Sequence, residues 1–173
     1  MNARIDFVKN PSWKVEPVKD FTLFFENLSV LAPEDAVLFI EGTSMAQDVK
    51  EFLHSKSVEA PQDIKVGEGP DPEDLPPERS YKVPLIGGEL RVFPRSDRFH
   101  IPAMHEHFLE IAKMSEHHAE IEMLDSLIVY RENVALLHWY DTPTDPIYVS
   151  TEISEVSLQK FCAKVHVGYV LEN

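Results

Sequence analysis

The sequence predicts an α+β fold, with three to four helices packed on an antiparallel-rich mixed sheet of about five to six strands. Three observations support this prediction: two hairpin signals, a third strand that extends one hairpin into a meander, and several segments with apolar residues at helical spacing. The 173 residues are 43% hydrophobic and 27% charged, which is typical of a globular chain with one core. We therefore predict a single domain over residues 1–173.

The N-terminal third contains two predicted helices with a strand between them. Residues 20–31 place five apolar side chains at helical spacing, and Asp20 stands where an N-cap is needed. Residues 36–40 are uniformly apolar and predict a short strand that is buried on both faces. Residues 45–54 have one apolar face, so a second helix is expected there.

The segment at about 57–80 differs from the rest of the chain in composition. It contains five prolines, two glycines and seven acidic residues. Prolines and glycines interrupt helices and strands, and this density of charge opposes burial. We therefore predict an extended acidic loop.

Two pairs of predicted strands are joined by short turns. Residues 81–86 and 89–93 flank a Gly-Gly pair, and residues 126–131 and 134–140 flank a Glu-Asn pair. Two-residue turns of this kind favour hairpins. Residues 147–150 follow a proline-containing turn and complete a three-stranded meander.

The C-terminal half also contains two predicted helices and a final strand. Residues 102–118 have an apolar helical face, and a last helix is expected over residues 154–164 with Ser154 as its N-cap. Residues 166–171 are predicted to form an edge strand of the sheet.

The net charge of the chain argues against some classes of binding partner. There are 16 basic and 30 acidic residues, a formal net charge of -14, which repels nucleic acid and anionic lipid surfaces. No apolar run approaches the roughly 20 residues that span a bilayer, and the first residues lack the apolar core of a secretory signal. The only cysteine, Cys162, is expected to be a buried structural thiol. We predict a cytoplasmic protein with no membrane or nucleic-acid partner.

Histidines are concentrated between positions 100 and 118, where five of the eight occur among glutamates. Imidazole and carboxylate groups together suit a divalent metal. The His-Glu-x-x-His spacing is absent, and the close mixed pairs are His107 with Glu110 and His118 with Glu122. The simpler interpretation is that this segment is an amphipathic helix with scattered histidines that bind nothing. We therefore predict no cofactor, and a bound divalent metal is the alternative hypothesis. The metal candidates are His100, His105, His107 and Glu110.

A second cluster combines arginine with histidine near residues 91–107. Arginine binds carboxylate or phosphate groups, and a nearby histidine supplies acid or base chemistry. The competing interpretation is that these arginines pair with the acidic loop that precedes them. The catalytic candidates of this hypothesis are His100, His105, Arg95, Arg98 and His138.

The position of His138 follows from strand alternation within residues 134–140. Leu137 and Trp139 share one face of this strand, and His138 and Tyr140 share the other. The apolar pair is expected to face the core. His138 would then lie on the uncovered face of the sheet, where a pocket or a partner surface is possible.

Three functional hypotheses follow from these observations, the third being a self-associating structural domain that pairs with another chain through the exposed edge at residues 166–171. The first is a non-enzymatic protein-binding module that engages a basic partner or its own copies, a profile typical of a small bacterial inhibitor or immunity-like protein. Its partner-binding candidates lie in the acidic loop and are Asp71, Glu73, Asp74 and Glu78. The alternative is a small hydrolase or metal-dependent enzyme that uses the cluster near residues 91–107, so whether the chain is an enzyme stays open.

Overall fold

The computed structural model describes residues 8–58 and 96–173, together with the backbone of four short strands outside them. These residues form an α+β fold, as the sequence predicts. The helices are α1 (Phe21–Asn27), α2 (Gln47–Lys56), α3 (His105–Ser115), α4 (Glu120–Met123) and α5 (Glu155–Val165). The strands are β1 (Arg4–Ile5), β2 (Ser12–Val15), β3 (Val37–Gly42), β4 (Lys65–Val66), β5 (Ser80–Pro84), β6 (Leu90–Pro94), β7 (Asp97–Pro102), β8 (Ser126–Arg131), β9 (Val134–Trp139), β10 (Ile147–Ser150) and β11 (Tyr169–Glu172).

The main sheet has seven strands in the order β11-β2-β10-β9-β8-β3-β7, and every neighbouring pair is antiparallel. The predicted meander is confirmed as β8, β9 and β10. Its first turn places Glu132 at a positive φ of 56°, as a tight hairpin turn requires. The predicted strand at 166–171 is β11, which lies at one edge of this sheet.

Two strands of the main sheet were not predicted, which raises the count above the expected five to six. β2 has only four residues and lies between Pro11 and Pro17, so its alternation is too short to stand out. β7 contains three polar residues, Asp97, Arg98 and His100, and only its Ile101 is buried, so it lacks the apolar signal of a core strand. The predicted strands at 81–86 and 89–93 form the separate hairpin β5–β6, and their Gly-Gly turn lies outside the described residues.

Helix positions agree with the sequence except around Pro102. The Asp20 carboxylate accepts the Leu23 N–H (3.0 Å), and the Ser154 hydroxyl accepts the Ser157 N–H (3.2 Å), so both predicted caps are confirmed. The helix predicted over 102–118 is shorter, because Pro102 ends β7 and α3 begins only at His105. The short helix α4 follows it and was not predicted.

All five helices pack on one face of the main sheet, which we call the helix face. Its core centres on Trp139, whose ring centroid lies 4.8 Å from that of Phe24 and 5.5 Å from that of Phe21. Phe161 of α5 meets Phe24 edge-on at 5.7 Å. Cys162 is buried beside it, and burial raises the pKa of its thiol to about 11, as suits a structural cysteine.

The opposite side of the sheet, which we call the second face, has a smaller buried cluster. This cluster consists of Phe39, Ile128, Tyr130 and Ala135, with Val8 and Val37 packed against it. Val8 belongs to the N-terminal arm, and β1 in the same arm pairs in parallel with β4 of the acidic segment. The remainder of the predicted loop at 57–80, including Asp71, Glu73, Asp74 and Glu78, lies outside the described residues.

Candidate functional site

The second face brings two of the predicted catalytic histidines onto one surface. The registers of four adjacent strands align His100 of β7, Phe39 of β3, Ile128 of β8 and His138 of β9 in one cross-strand row. Neighbouring strands lie about 4.8 Å apart, so three intervals separate the two histidines by about 14 Å. His100 and His138 therefore share a face and do not bind the same atom of a ligand.

His100 is held inside the small apolar cluster. Its Nδ1 lies 2.8 Å from the Tyr130 hydroxyl, and its ring lies 5.0 Å from that of Phe39. Burial, with a smaller effect from Arg98, lowers the pKa of His100 to about 4. Burial raises the pKa of Tyr130 to about 12. Both groups are thus neutral at pH 7, and their hydrogen bond joins β7 to β8.

His138 fastens the N-terminal arm to the sheet. The Val8 N–H donates to its Nδ1 (3.0 Å), and its ring stacks on Tyr148 at 5.0 Å with an interplanar angle of 25°. Burial lowers the pKa of His138 to about 4. A protonated Nδ1 has no lone pair to accept the Val8 N–H, so the neutral ring is the form that this contact selects.

The arginine part of the predicted cluster is only partly described. Arg98 lies opposite Glu41 in the β3–β7 register, and its Nη2 is 3.4 Å from the Glu41 Oε1. The Ser96 hydroxyl donates to the same oxygen (2.6 Å). This arrangement satisfies Glu41 at the surface and gives Arg98 a local partner. Arg95 lies outside the described residues.

The other metal candidates are on α3, which packs on the helix face. His107 is buried, its Nδ1 donates to the Pro102 carbonyl (2.9 Å), and its ring lies 6.3 Å from that of Phe52. His105 is exposed, and Glu110 pairs with Lys113 at 2.6 Å. Within residues 8–58 and 96–173, no group of three or more histidine, cysteine or acidic side chains is arranged to hold a metal ion. The metal and catalytic assignments made from the sequence stay predictions.

The structure brings together one ionisable cluster that the sequence did not reveal. The Nε2 of His118 lies 2.8 Å from the Asp48 Oδ2 on α2, and its Nδ1 lies 3.7 Å from the Glu122 Oε2 on α4. The hydrogen bond raises the pKa of His118 and lowers the pKa of Asp48. The spacing of His118 and Glu122 was visible in the sequence, whereas Asp48 lies 70 residues away.

An open cavity of about 530 Å³ lies beside this cluster, between the start of α1 and the joint of α3 with α4. It is lined by Lys19, Asp20, Phe21, Thr22, Ser115, His118, Ala119 and Glu120. The Thr22 and Ser115 hydroxyls bond to each other (2.8 Å), and carboxylates face both nitrogens of His118. Both ring nitrogens of His118 are thus directed to carboxylates, so this geometry does not present the ring as a base to the cavity.

The His118–Asp48 pair should stabilise the fold within a limited pH window. Because the folded pKa of His118 is raised, its contribution is present below about pH 6.5 and is lost as the pH rises through the raised value. Because the pKa of Asp48 is lowered in the folded state, its contribution to stability is lost only when the pH falls through that lowered pKa. We expect Asp48→Asn to lower the melting temperature more at pH 5.5 than at pH 9.

Thermal unfolding at the two pH values checks this prediction. Glu51→Gln is the matched control, because Glu51 is also exposed on α2 and its carboxylate accepts a hydrogen bond from the neutral Gln47 amide (3.0 Å). An equal effect of Asp48→Asn at both pH values would contradict the role of the ion pair.

The described chain is thus an acidic α+β protein with a seven-stranded antiparallel sheet, one helix-covered face and one aromatic and histidine-bearing face. None of its described helices has the length and apolar character that a bilayer crossing requires. Comparisons with models of protein families, with curated protein sequences and with solved structures found no match to this chain.

Proposed function

We propose that this chain is a non-enzymatic binding module whose acidic surface engages a basic protein partner. The observation that carries the proposal is the net charge of -14. Most of this excess belongs to residues 8–58 and 96–173, which contain 21 acidic and ten basic side chains. The negative field therefore comes from the folded body as well as from the acidic segment, and it favours encounter with a cationic protein.

Local ion pairs leave the excess of acidic side chains unchanged. Lys50 is 2.7 Å from Asp97, Lys113 is 2.6 Å from Glu110, and Lys14 is 3.1 Å from Glu172. These contacts already engage three of the ten described lysine and arginine side chains with carboxylates of the same chain. Each pair neutralises one basic and one acidic group, so the described residues keep their excess of eleven acidic side chains (21 against ten).

The α3–α4 region is the part of the described surface that best fits such an interface. It exposes Glu106, Glu110, Glu116 and Glu120. Ile121 of α4 lies next to Glu120 and is 59% exposed. An apolar side chain within a polar, charged rim is the usual composition of a protein interface.

The contacts of the two second-face histidines also support a binding module over an enzyme. His100 and His138 are both neutral and both hydrogen-bonded within the fold, to Tyr130 and to the Val8 N–H. These bonds give each ring a structural role. Acid or base catalysis is therefore not needed to explain either residue.

Affinity capture from the source lysate tests the proposal. We expect a stoichiometric partner with a basic sequence to be retained at about 50 mM salt and released at about 300 mM, because salt screens surface charge. Glu116→Gln with Glu120→Gln should weaken retention about fivefold or more, mainly through slower association.

Glu132→Gln is the matched control, since Glu132 lies at the far end of β8 from α4, about 20 Å along the strand. We expect this variant to retain the partner as the wild type does. The proposal fails if no stoichiometric partner is captured at low salt, or if retention does not depend on salt.

A further inference from the structure

β11 lies at the edge of the main sheet and pairs with a strand on one side only. Its partner is β2, with Tyr169 opposite Val15 and Leu171 opposite Trp13. Among the strands that the structure describes, none pairs with the other side of β11. An edge of this kind presents unpaired backbone groups to other chains.

The hydrogen-bond pattern identifies which backbone groups point outward. The Glu16 N–H donates to the Gly168 carbonyl (3.0 Å), so this opposing pair is a hydrogen-bonded one. Bonded pairs alternate along an antiparallel ladder, which makes Val170 and Glu172 the next residues bonded to β2. The N–H and C=O groups of Tyr169 and Leu171 are therefore directed to the free side.

The side chains of β11 add apolar contact area on both sides of the strand. Val170 is 60% exposed on the second face, and Leu171 is 47% exposed on the helix face. Tyr169 is anchored below, where its ring meets that of Trp13 edge-on at 5.6 Å. The outward backbone of this strand is thus held in place by packing and flanked by exposed aliphatic groups.

Carboxylates outnumber cations around this edge. The Glu16 carboxylate accepts the Gly168 N–H (2.8 Å), and the Glu155 carboxylate accepts the Tyr169 hydroxyl (3.2 Å). Glu172 belongs to the strand itself and pairs with Lys14. The side-chain contacts of β11 and of Gly168 before it thus involve three carboxylates and one ammonium group.

We propose that the β11 edge binds an extended basic segment of the partner protein, which adds an eighth strand to the sheet. The outward backbone groups of Tyr169 and Leu171 supply the hydrogen bonds. The net charge of -14, together with the carboxylates that contact β11, favours lysine or arginine side chains in the added strand. A second copy of this chain fits less well, because two bodies of charge -14 repel each other. This inference rests on the proposed function and deepens it by naming the site.

Amide hydrogen exchange with a defined peptide tests the inference. The probe is a capped octapeptide of alternating lysine and valine, and its counterpart alternates glutamate and valine. We expect the lysine peptide to slow exchange at Tyr169 and Leu171 about tenfold or more and to leave Val170 and Glu172 unchanged. The glutamate peptide should slow neither pair.

Two controls separate strand addition from charge attraction alone. The lysine peptide methylated on every backbone nitrogen keeps its charge but has no backbone donor on either edge, so it should give no protection. Leu171→Pro removes an outward N–H and spares the bonds to β2, whereas Leu171→Ala keeps that N–H. We expect the proline variant alone to lose peptide protection.

Four outcomes would overturn the inference. The first is that the methylated peptide protects as well as the unmethylated one. The second is that, without any peptide, protection of Tyr169 and Leu171 increases with protein concentration, because this would indicate that a second copy of the chain binds the edge. The third is protection confined to residues 116–122, which overturns the edge site and leaves the proposed function in place. The fourth is that the lysine peptide does not bind at all. In that case the proposed function is still tested separately, by capture of a partner from the lysate.

Discussion

Acidification from about pH 6.5 to about pH 4 is expected to destabilise the protein by several kcal/mol through His100 and His138. Burial lowers the pKa of each ring to about 4, whereas an unfolded histidine titrates near 6.5. The unfolded chain therefore binds protons that the folded chain excludes. The stabilising contribution is fully present above about pH 6.5, falls with the pH, and is lost near pH 4.

The size of the effect follows from the two shifts. A difference of about 2.5 pKa units at about 1.4 kcal/mol per unit gives up to about 3.5 kcal/mol for each histidine. Domains of this kind have total stabilities of about 5 to 15 kcal/mol. These two partly buried histidines are therefore enough to bring a domain at the low end of this range close to unfolding in mild acid.

Urea unfolding at several pH values between 7 and 4 measures this loss. In His138→Asn the side-chain oxygen can replace the Nδ1 acceptor for the Val8 N–H without titrating, and His100→Asn does the same toward Tyr130. We expect the double variant to lose much less stability over this range. His105→Asn, at an exposed position of α3, is the control and should keep the wild-type slope. Parallel pH profiles of the double variant and the wild type would refute the assignment.

The elements that the sequence predicts correctly are those with a dense local signal. The apolar spacing of α1 with its Asp20 cap and the turn at Glu132 are both set by neighbours within a few residues. β2 and β7 were missed because their stability comes from pairing with distant strands. In β7, the polar residues Arg98 and His100 are typical of a loop. Only the pairing of β7 with β3 shows that they belong to a strand and lie on the second face of the sheet.

The candidate sites show the same limit more sharply. Five histidines are close in sequence between 100 and 118, yet the fold places His100 on the second face and His107 in the helix layer. Proximity in the chain therefore did not predict proximity in space. His118 and Asp48 show the opposite case, because they are distant in sequence but close in space. Packing of α2 against the joint of α3 with α4 brings them into contact.

Trp139→Ala is expected to cost about 3 to 5 kcal/mol, the typical range for truncating a buried aromatic residue. Trp139 is fully buried in the central strand β9, and its ring contacts those of Phe21 and Phe24 of α1. Truncation leaves a cavity where the sheet meets α1. The change in the free energy of unfolding by urea measures this cost.

A graded series separates the packing of Trp139 from its hydrogen bond. The Trp139 Nε1 donates to the Asp145 carbonyl (2.8 Å), and Trp139→Phe removes this bond while keeping most of the ring volume. We expect Trp139→Phe to cost about 1 to 2 kcal/mol, because the hydrogen bond to the Asp145 carbonyl is lost and the core loses a little buried area. Val134→Ala, at an exposed position of the same strand, should cost about 0.5 kcal/mol or less. If Trp139→Ala were no more harmful than Val134→Ala, the core could not be centred on Trp139, because only a residue outside the packed interior tolerates such a loss of volume.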